Sequence, residues 1–308
     1  MIRSVAAVTI KKMFGKALAG LFLVLAMLGA GCNDTLGSKT MNEKDIDWKT
    51  LEFTCKHEKD AAPRVDKKAD VWFQQARKLE KENREGTGKY MLELYEKAAA
   101  KDHYKAINNL IVIFLSWEGI EHGEAKAVDY AERLIKMNVS SGYYHMGVFL
   151  EQGIGVKQDR PASLVYFRKA ADLGNMQGQQ VVGKKLLGDF LLTPLRDKVV
   201  PIGIKMLECS LAQGWAASGL ELGAHFLMGE RDATTGLPYL QKAAALGHSQ
   251  SLYILYSAFN DGEYGVGKDP VRAACYKKLE EEADADKTKR FPNIDKICPL
   301  PPKPMQQA

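Results

Sequence analysis

The segment Gly142–Asn175, GYYHMGVFLEQGIGVKQDRPASLVYFRKAADLGN, decides the fold. It holds two apolar stretches separated by Gly153-Ile154-Gly155-Val156 and Asp159, and it ends in Leu173-Gly174-Asn175. Strand-like alternation is absent. Apolar residues instead recur at helical spacing, and glycines mark where each helix must stop. The segment therefore reads as a helix, a glycine loop and a second helix.

The same arrangement recurs along the chain. Taking Lys97, Arg133, Lys169, Cys209 and Lys242 as reference residues, the spacings are 36, 36, 40 and 33. Five places on from each stands Asp102, Asn138, Gly174, Gly214 or Gly247. Glycine and asparagine tolerate the left-handed backbone that ends a helix. Nine places on stands Ala106, Gly142, Gly178, Ser218 or Ser251, and fourteen places on stands Ile111, Gly147, Gly183, Gly223 or Tyr256. Small residues at these offsets let a neighbouring helix approach one face of the next. A period near 36 predicts helix pairs that bury their apolar faces only against adjacent pairs, an all-α, right-handed solenoid of helix-turn-helix repeats.

The quoted segment resembles one full Sel-one-like repeat, a relative of the tetratricopeptide repeat with two helices per unit. Gly262-Glu263-Tyr264-Gly265-Val266 with Asp269 repeats its glycine loop, and Gln241 to His248 repeats its second-helix ending. The resemblance spans about residues 90–280. It departs at Lys184 to Val200, a long stretch flanked by Pro201 and containing Pro194, and the first copy lacks the glycine loop.

The solenoid is expected over residues 66–286. Asp66 is a plausible N-cap for a helix whose apolar face is Ala69, Trp72, Phe73, Ala76 and Leu79. Residues 32–65 read as a tether and irregular segment. Residues 287–308, with Pro292, Pro299, Pro301, Pro302 and Pro304, read as an extended Pro-rich tail, free or packed along the last repeat, in which helix is excluded.

Residues 1–31 read as a signal peptide. Ala17 to Leu28 is an unbroken run of small and apolar residues after a basic start. As a helix its twelve residues span about 18 Å, short of a hydrocarbon core of about 30 Å. Leu28-Gly29-Ala30-Gly31-Cys32 resembles a bacterial lipobox. That resemblance implies lipidation of Cys32 and a periplasmic body held by acyl chains to the inner or outer membrane. An ordinary cleaved signal with a chance cysteine is the other reading.

Composition narrows function. The formal charge of +5 is carried by the leader, since Arg3, Lys11, Lys12 and Lys16 face no acid; removing them leaves 39 basic against 38 acidic residues. A near-neutral body has no long-range attraction for nucleic acid. Cys55, Cys209, Cys275 and Cys298 fit no zinc spacing. They allow three complete disulfide pairings or buried thiols, and Cys275–Cys298 is favoured if one bridge forms.

No His-Glu-x-x-His or Gly-x-Ser-x-Gly motif occurs, so no catalytic residue, metal or cofactor is expected. His57-Glu58-Lys59-Asp60 reads as surface. Trp215, Phe226, Tyr239, Tyr253 and Tyr256 read as core, and Trp117 falls near a loop. The first helix of each repeat should line an inner groove for a protein partner. Offsets +10, +12 and +16 place Asn109, Tyr143, His145, Gln179, Lys185, Glu221 and His225 there. No small-molecule substrate is expected.

Sel-one-like lipoproteins of this layout are similar to bacterial immunity proteins that neutralise type VI secretion effectors, especially phospholipase toxins. An envelope scaffold for a cell-wall or secretion assembly is the alternative.

Overall fold

The computed structural model describes residues 51–190 and 194–301; the side chains of residues 189 and 190 are outside that description. The signal segment, Cys32 and the last seven residues therefore lie outside the described residues. Regular structure is entirely helical, with no strand among the described residues. Among the described residues no helix is long and apolar enough to cross a membrane. The chain forms two compact units, divided between Gly178 and Gln179.

The first unit holds α1 (Glu58–Ala61), α2 (Lys67–Glu82), α3 (Gly88–Ala99), α4 (Tyr104–Ser116), α5 (Gly123–Lys136), α6 (Ser140–Gln152), α7 (Arg160–Asp172) and the start of α8 (Met176–Phe190). From α2 onward the helices pack as consecutive pairs, α2 with α3, α4 with α5 and α6 with α7. Asp66 caps α2 by accepting from the Ala69 amide at 2.9 Å. One core, built around Tyr95, Ile107, Leu110, Leu134 and Phe149, runs through these pairs.

The second unit continues with α9 (Arg196–Ala212), α10 (Ala216–Ala224), α11 (Ala233–Ala245), α12 (Ser249–Ser257), α13 (Pro270–Ala285) and α14 (Ile294–Ile297). Helices α10 and α12 each run into a five-residue π turn, His225–Gly229 and Ala258–Gly262. The pairs are α10 with α11 and α12 with α13. Pro201 lies inside α9. It removes one ladder donor, yet the helix continues for eleven residues beyond it.

One turn geometry repeats in both units. Asp102, Asn138, Gly174, Gly214 and Gly247 all have positive φ, between 54° and 96°. The residue after each donates its amide back to the carbonyl five residues earlier: His103 to Ala98, Val139 to Leu134, Asn175 to Ala170, Trp215 to Ser210 and His248 to Ala243. This is the six-to-one closure that satisfies a terminal helix carbonyl and reverses the chain. The next helix then starts at once, capped at His103, Asn175 and His248 by the side chain itself.

The small residues act as expected. A Cβ on Gly142 would lie 2.5 Å from Leu134 Cβ, and one on Gly147 would lie 2.7 Å from the Phe167 ring. In the second unit a Cβ on Gly223 would lie 2.5 Å from the Leu240 side chain.

The two irregular ends differ from the sequence expectation. Leu51 is buried, and the Leu51 and Glu52 carbonyls both accept from the Arg168 guanidinium of α7. The end of the presumed tether is thus docked. The tail is not simply extended either, since α14 forms one helical turn inside it. Pro292 precedes that turn and Pro299 follows its cap, so neither ring interrupts its ladder. Phe291, Ile294 and Cys298 are buried with Leu252, Phe259 and Tyr276. The Phe291 amide donates to the Ala245 carbonyl at 2.8 Å. Cys275 and Cys298 form a disulfide, with Cα atoms 5.9 Å apart.

The aromatic set also needs correction. Trp215, Phe226, Tyr239 and Tyr256 are half-buried, but Tyr253 is exposed because it lies on the outward stripe of α12. Trp117, just past α4, is exposed.

Candidate functional site

The first helix of each pair carries the candidate surface, and its stripes sort by offset. Every residue at +10 is buried: Ile107 and Tyr143 in the first unit, Gln179, Gly219 and Leu252 in the second. Residues at +8, +11, +12 and +15 are half-buried or exposed in every copy, a spacing of three, four and seven that marks one helix face. On α4 the face is Lys105, Asn108, Asn109 and Val112; on α6 it is Ser141, Tyr144, His145 and Val148. On α10 it is Ala217, Leu220, Glu221 and Ala224, and on α12 it is Gln250, Tyr253, Ile254 and Ser257.

Two expected groove residues are therefore not surface residues. Tyr143 sits in the core, its ring 6.4 Å from that of Tyr166. Gln179 is fully buried and accepts from Gln213 Nε2 at 2.9 Å. Both occupy +10, one position round the helix from the small +9 residue, and so face the neighbouring helix. The sequence reading missed Asn108, Tyr144 and Val112. Their signal was available: once +9 and +14 are fixed as packed, the open face of a 3.6-residue helix falls on +8, +11, +12 and +15.

The other expected residues keep some exposure. Asn109 donates to the Tyr95 hydroxyl at 2.9 Å, and that hydroxyl donates to Glu80 Oε2 at 2.6 Å. Burial, and then the Glu80 carboxylate, push the Tyr95 phenol up to about 12. His145 Nε2 lies 2.8 Å from Asn108 Oδ1, and burial pushes its pKa down to about 4. The imidazole is neutral near pH 7, with an amide rather than a carboxylate as its partner.

In the second unit Glu221 is ion-paired to Lys184 at 2.6 Å, and Lys185 is half-buried beside that pair. His225 opens the π turn. Its Nε2 lies 3.5 Å from Glu230 Oε1, and burial lowers its pKa although Glu230 opposes the shift. The stripes thus offer amides, aromatic rings, aliphatic side chains and lysines. This chemistry suits a protein surface.

Comparison with known proteins agrees with this geometry. The Sel1 repeat family matches residues 92–103, 140–175 and 220–248. The crystal structure of immunity protein PA5088 from Pseudomonas aeruginosa is 25% identical, with a TM-score of 0.65 over 82% of this chain and 96% of that one. Immunity protein Pa5087 from the same organism is 29% identical, with a TM-score of 0.62 over 83% and 97%. A Sel1 repeat protein from Oxalobacter formigenes, 19% identical, shares the fold with a TM-score of 0.57 over 70% and 88%. No curated protein sequence matches. The chain is an all-α solenoid that carries Sel1 repeats, the repeat its glycine pattern resembles.

Proposed function

We propose that the protein is a periplasm-facing lipoprotein that binds and neutralises a protein toxin, acting as the immunity protein for a type VI secretion phospholipase effector. The observation that carries this reading is its likeness, over more than four-fifths of its length, to two solved immunity proteins. The open helix stripes support it, because a preformed surface can cover an active-site mouth without chemistry of its own. The lipobox-like Leu28–Cys32 supplies the location. A blocker tethered at the membrane is concentrated where a lipase must work.

The test is a growth assay. The toxin encoded beside this gene is directed to the periplasm and co-expressed with the full chain, with a form lacking residues 1–31, and with Cys32→Ser. Growth restored by the full chain and not by the leaderless form supports the reading. Failure of the full chain to restore growth overturns it. Rescue retained by Cys32→Ser would remove the lipid anchor alone.

A further inference from the structure

The two units finish their open stripes differently. In the second, the prominent lysine is satisfied internally, since Lys184 is paired with Glu221. In the first, Lys68 on α2 and Lys105 on α4 ion-pair with no carboxylate among the described residues. Lys68 Nζ lies over the Trp72 ring, 5.3 Å from its centroid, and Lys105 Nζ lies 5.8 Å from that of Tyr104. The acids nearest in sequence are already engaged. Asp66 caps α2, lies 3.9 Å from Lys101 and feels the Lys68 charge only at longer range, and Asp70 Oδ1 meets His103 Nε2 at 3.2 Å.

Helices α2 and α4 are neighbours here, because His103 also stacks on Phe73 with ring centroids 4.5 Å apart. Beyond the two amines, and beside the Asn108 and Asn109 amides, the face carries open aliphatic side chains. Val71 on α2 is 54% exposed and Val112 on α4 is 53% exposed, with Leu115 one turn further on and also exposed. Large aliphatic side chains in water beside amines with no carboxylate at ion-pair distance mark a surface completed by something else. The charge is also graded along α4. Lys105 stands at its positive, N-terminal end, whereas Glu118 and Glu121 follow its C-terminus.

We propose that the α2–α4 face of the first unit docks an acidic segment of the partner protein, with carboxylates over Lys68 and Lys105 and apolar side chains over Val71, Val112 and Leu115. This rests on the protein-binding reading above and adds which unit makes the contact and what chemistry the partner presents.

The test uses two fluorescein-labelled fifteen-residue peptides with leucines at identical positions and either glutamate or lysine at the polar positions, titrated into the detergent-solubilised full chain. The acidic peptide should bind and the basic one should not. Lys68→Glu with Lys105→Glu should weaken the acidic peptide at least about tenfold, and Val112→Asp should weaken it independently. Exchanging Asp284 and Lys287, an exposed pair in the second unit that lies outside the candidate stripes, should leave it unchanged. Equal binding of both peptides, no binding of either, or indifference to the lysine substitutions overturns the proposal. The growth assay is read separately: rescue by wild type that survives Lys68→Glu with Lys105→Glu refutes this docking face while sparing the immunity reading, and loss of rescue by wild type refutes that reading itself.

Discussion

His145 and Asn108 meet at 2.8 Å although 37 residues separate them, so this one contact ties the first helix of one repeat to that of the next. Because Asn108 presents a carbonyl oxygen, His145 serves it as a neutral Nε2–H donor. Burial holds the imidazole near 4, against about 6.5 in an unfolded chain. The unfolded state therefore binds the proton first as pH falls, and stability declines between about pH 6.5 and 4. Full expression of the shift corresponds to about 3 kcal/mol. His225 and His248, also lowered by burial, push the same way. The lowered carboxylates, Asp66, Asp232 and Asp269, act only at still lower pH. Urea titrations at pH 7, 5.5 and 4.5 should show a falling midpoint, and His145→Gln should flatten the decline. An unchanged slope in that variant would refute the assignment.

The glycines divide into those that packing requires and those it does not. A methyl on Gly142 would meet Leu134 Cβ at 2.5 Å and the Ile135 amide nitrogen at 2.8 Å, and neither can retreat because both belong to α5. Gly142→Ala should cost about 2–3 kcal/mol by forcing α5 and α6 apart. A Cβ on Gly188 in α8 meets nothing within 4 Å. Gly188→Ala should therefore be neutral or stabilising by about 0.5–1 kcal/mol, since glycine is the poorer helix former. Thermal melts of the two variants check this, and equal effects would show that small residues are not what sets helix separation.

That division explains what the sequence made legible. Left-handed turns and close helix approaches are backbone demands, and backbone demands select residue types. Positions such as Gly174 and Gly178 therefore announce themselves. Groove membership is a matter of side-chain direction, where one position is 100° of rotation. Counting +10 as open sent Tyr143 and Gln179 to the surface, whereas the residue one place later, Asn108 or Tyr144, is the one on the open stripe. The docked ends left no periodic trace at all. Leu51 and Ile294 are both buried, yet an isolated leucine or isoleucine among polar residues carries no period to read.

Arg168 helps to hold the first of those ends through two backbone carbonyls. It is buried, its Nε donates to Asp172 Oδ1 at 2.9 Å, and its terminal nitrogens reach the Leu51 and Glu52 carbonyls at 3.3 and 2.7 Å. Burial raises the Asp172 carboxyl, and the guanidinium opposes that rise. Arg168→Met should lower stability by about 2–3 kcal/mol, because it leaves a partly buried carboxylate and two carbonyls without their donor. Arg168→Lys should recover only part of this, since one ammonium cannot span three acceptors as the planar fork does. Urea midpoints ordered wild type, Lys, Met would agree. A lysine variant as stable as wild type would show that charge, and not the fork, holds the segment.

The second end is held by both covalent and polar links that converge on Cys298. Its sulfur is bonded to Cys275, 23 residues earlier. Its carbonyl accepts from the Tyr276 hydroxyl and from Gln241 Nε2, both at 2.8 Å. Closing a loop of that length in the unfolded chain is worth about 3 kcal/mol on the chain-entropy view, while one buried neutral hydrogen bond is worth about 1 kcal/mol. Cys275→Ser with Cys298→Ser should therefore lower stability by about three times as much as Tyr276→Phe. The two changes act on the same residue, so the triple variant should depart from additivity. With the bridge gone, amide exchange should quicken at Phe291, Ile297 and Cys298, whose amides bond to the Ala245, Asn293 and Ile294 carbonyls, while the amides of α10 stay protected. Uniform loss of protection across the second unit would instead mean that the tail is part of its cooperative core and cannot open alone.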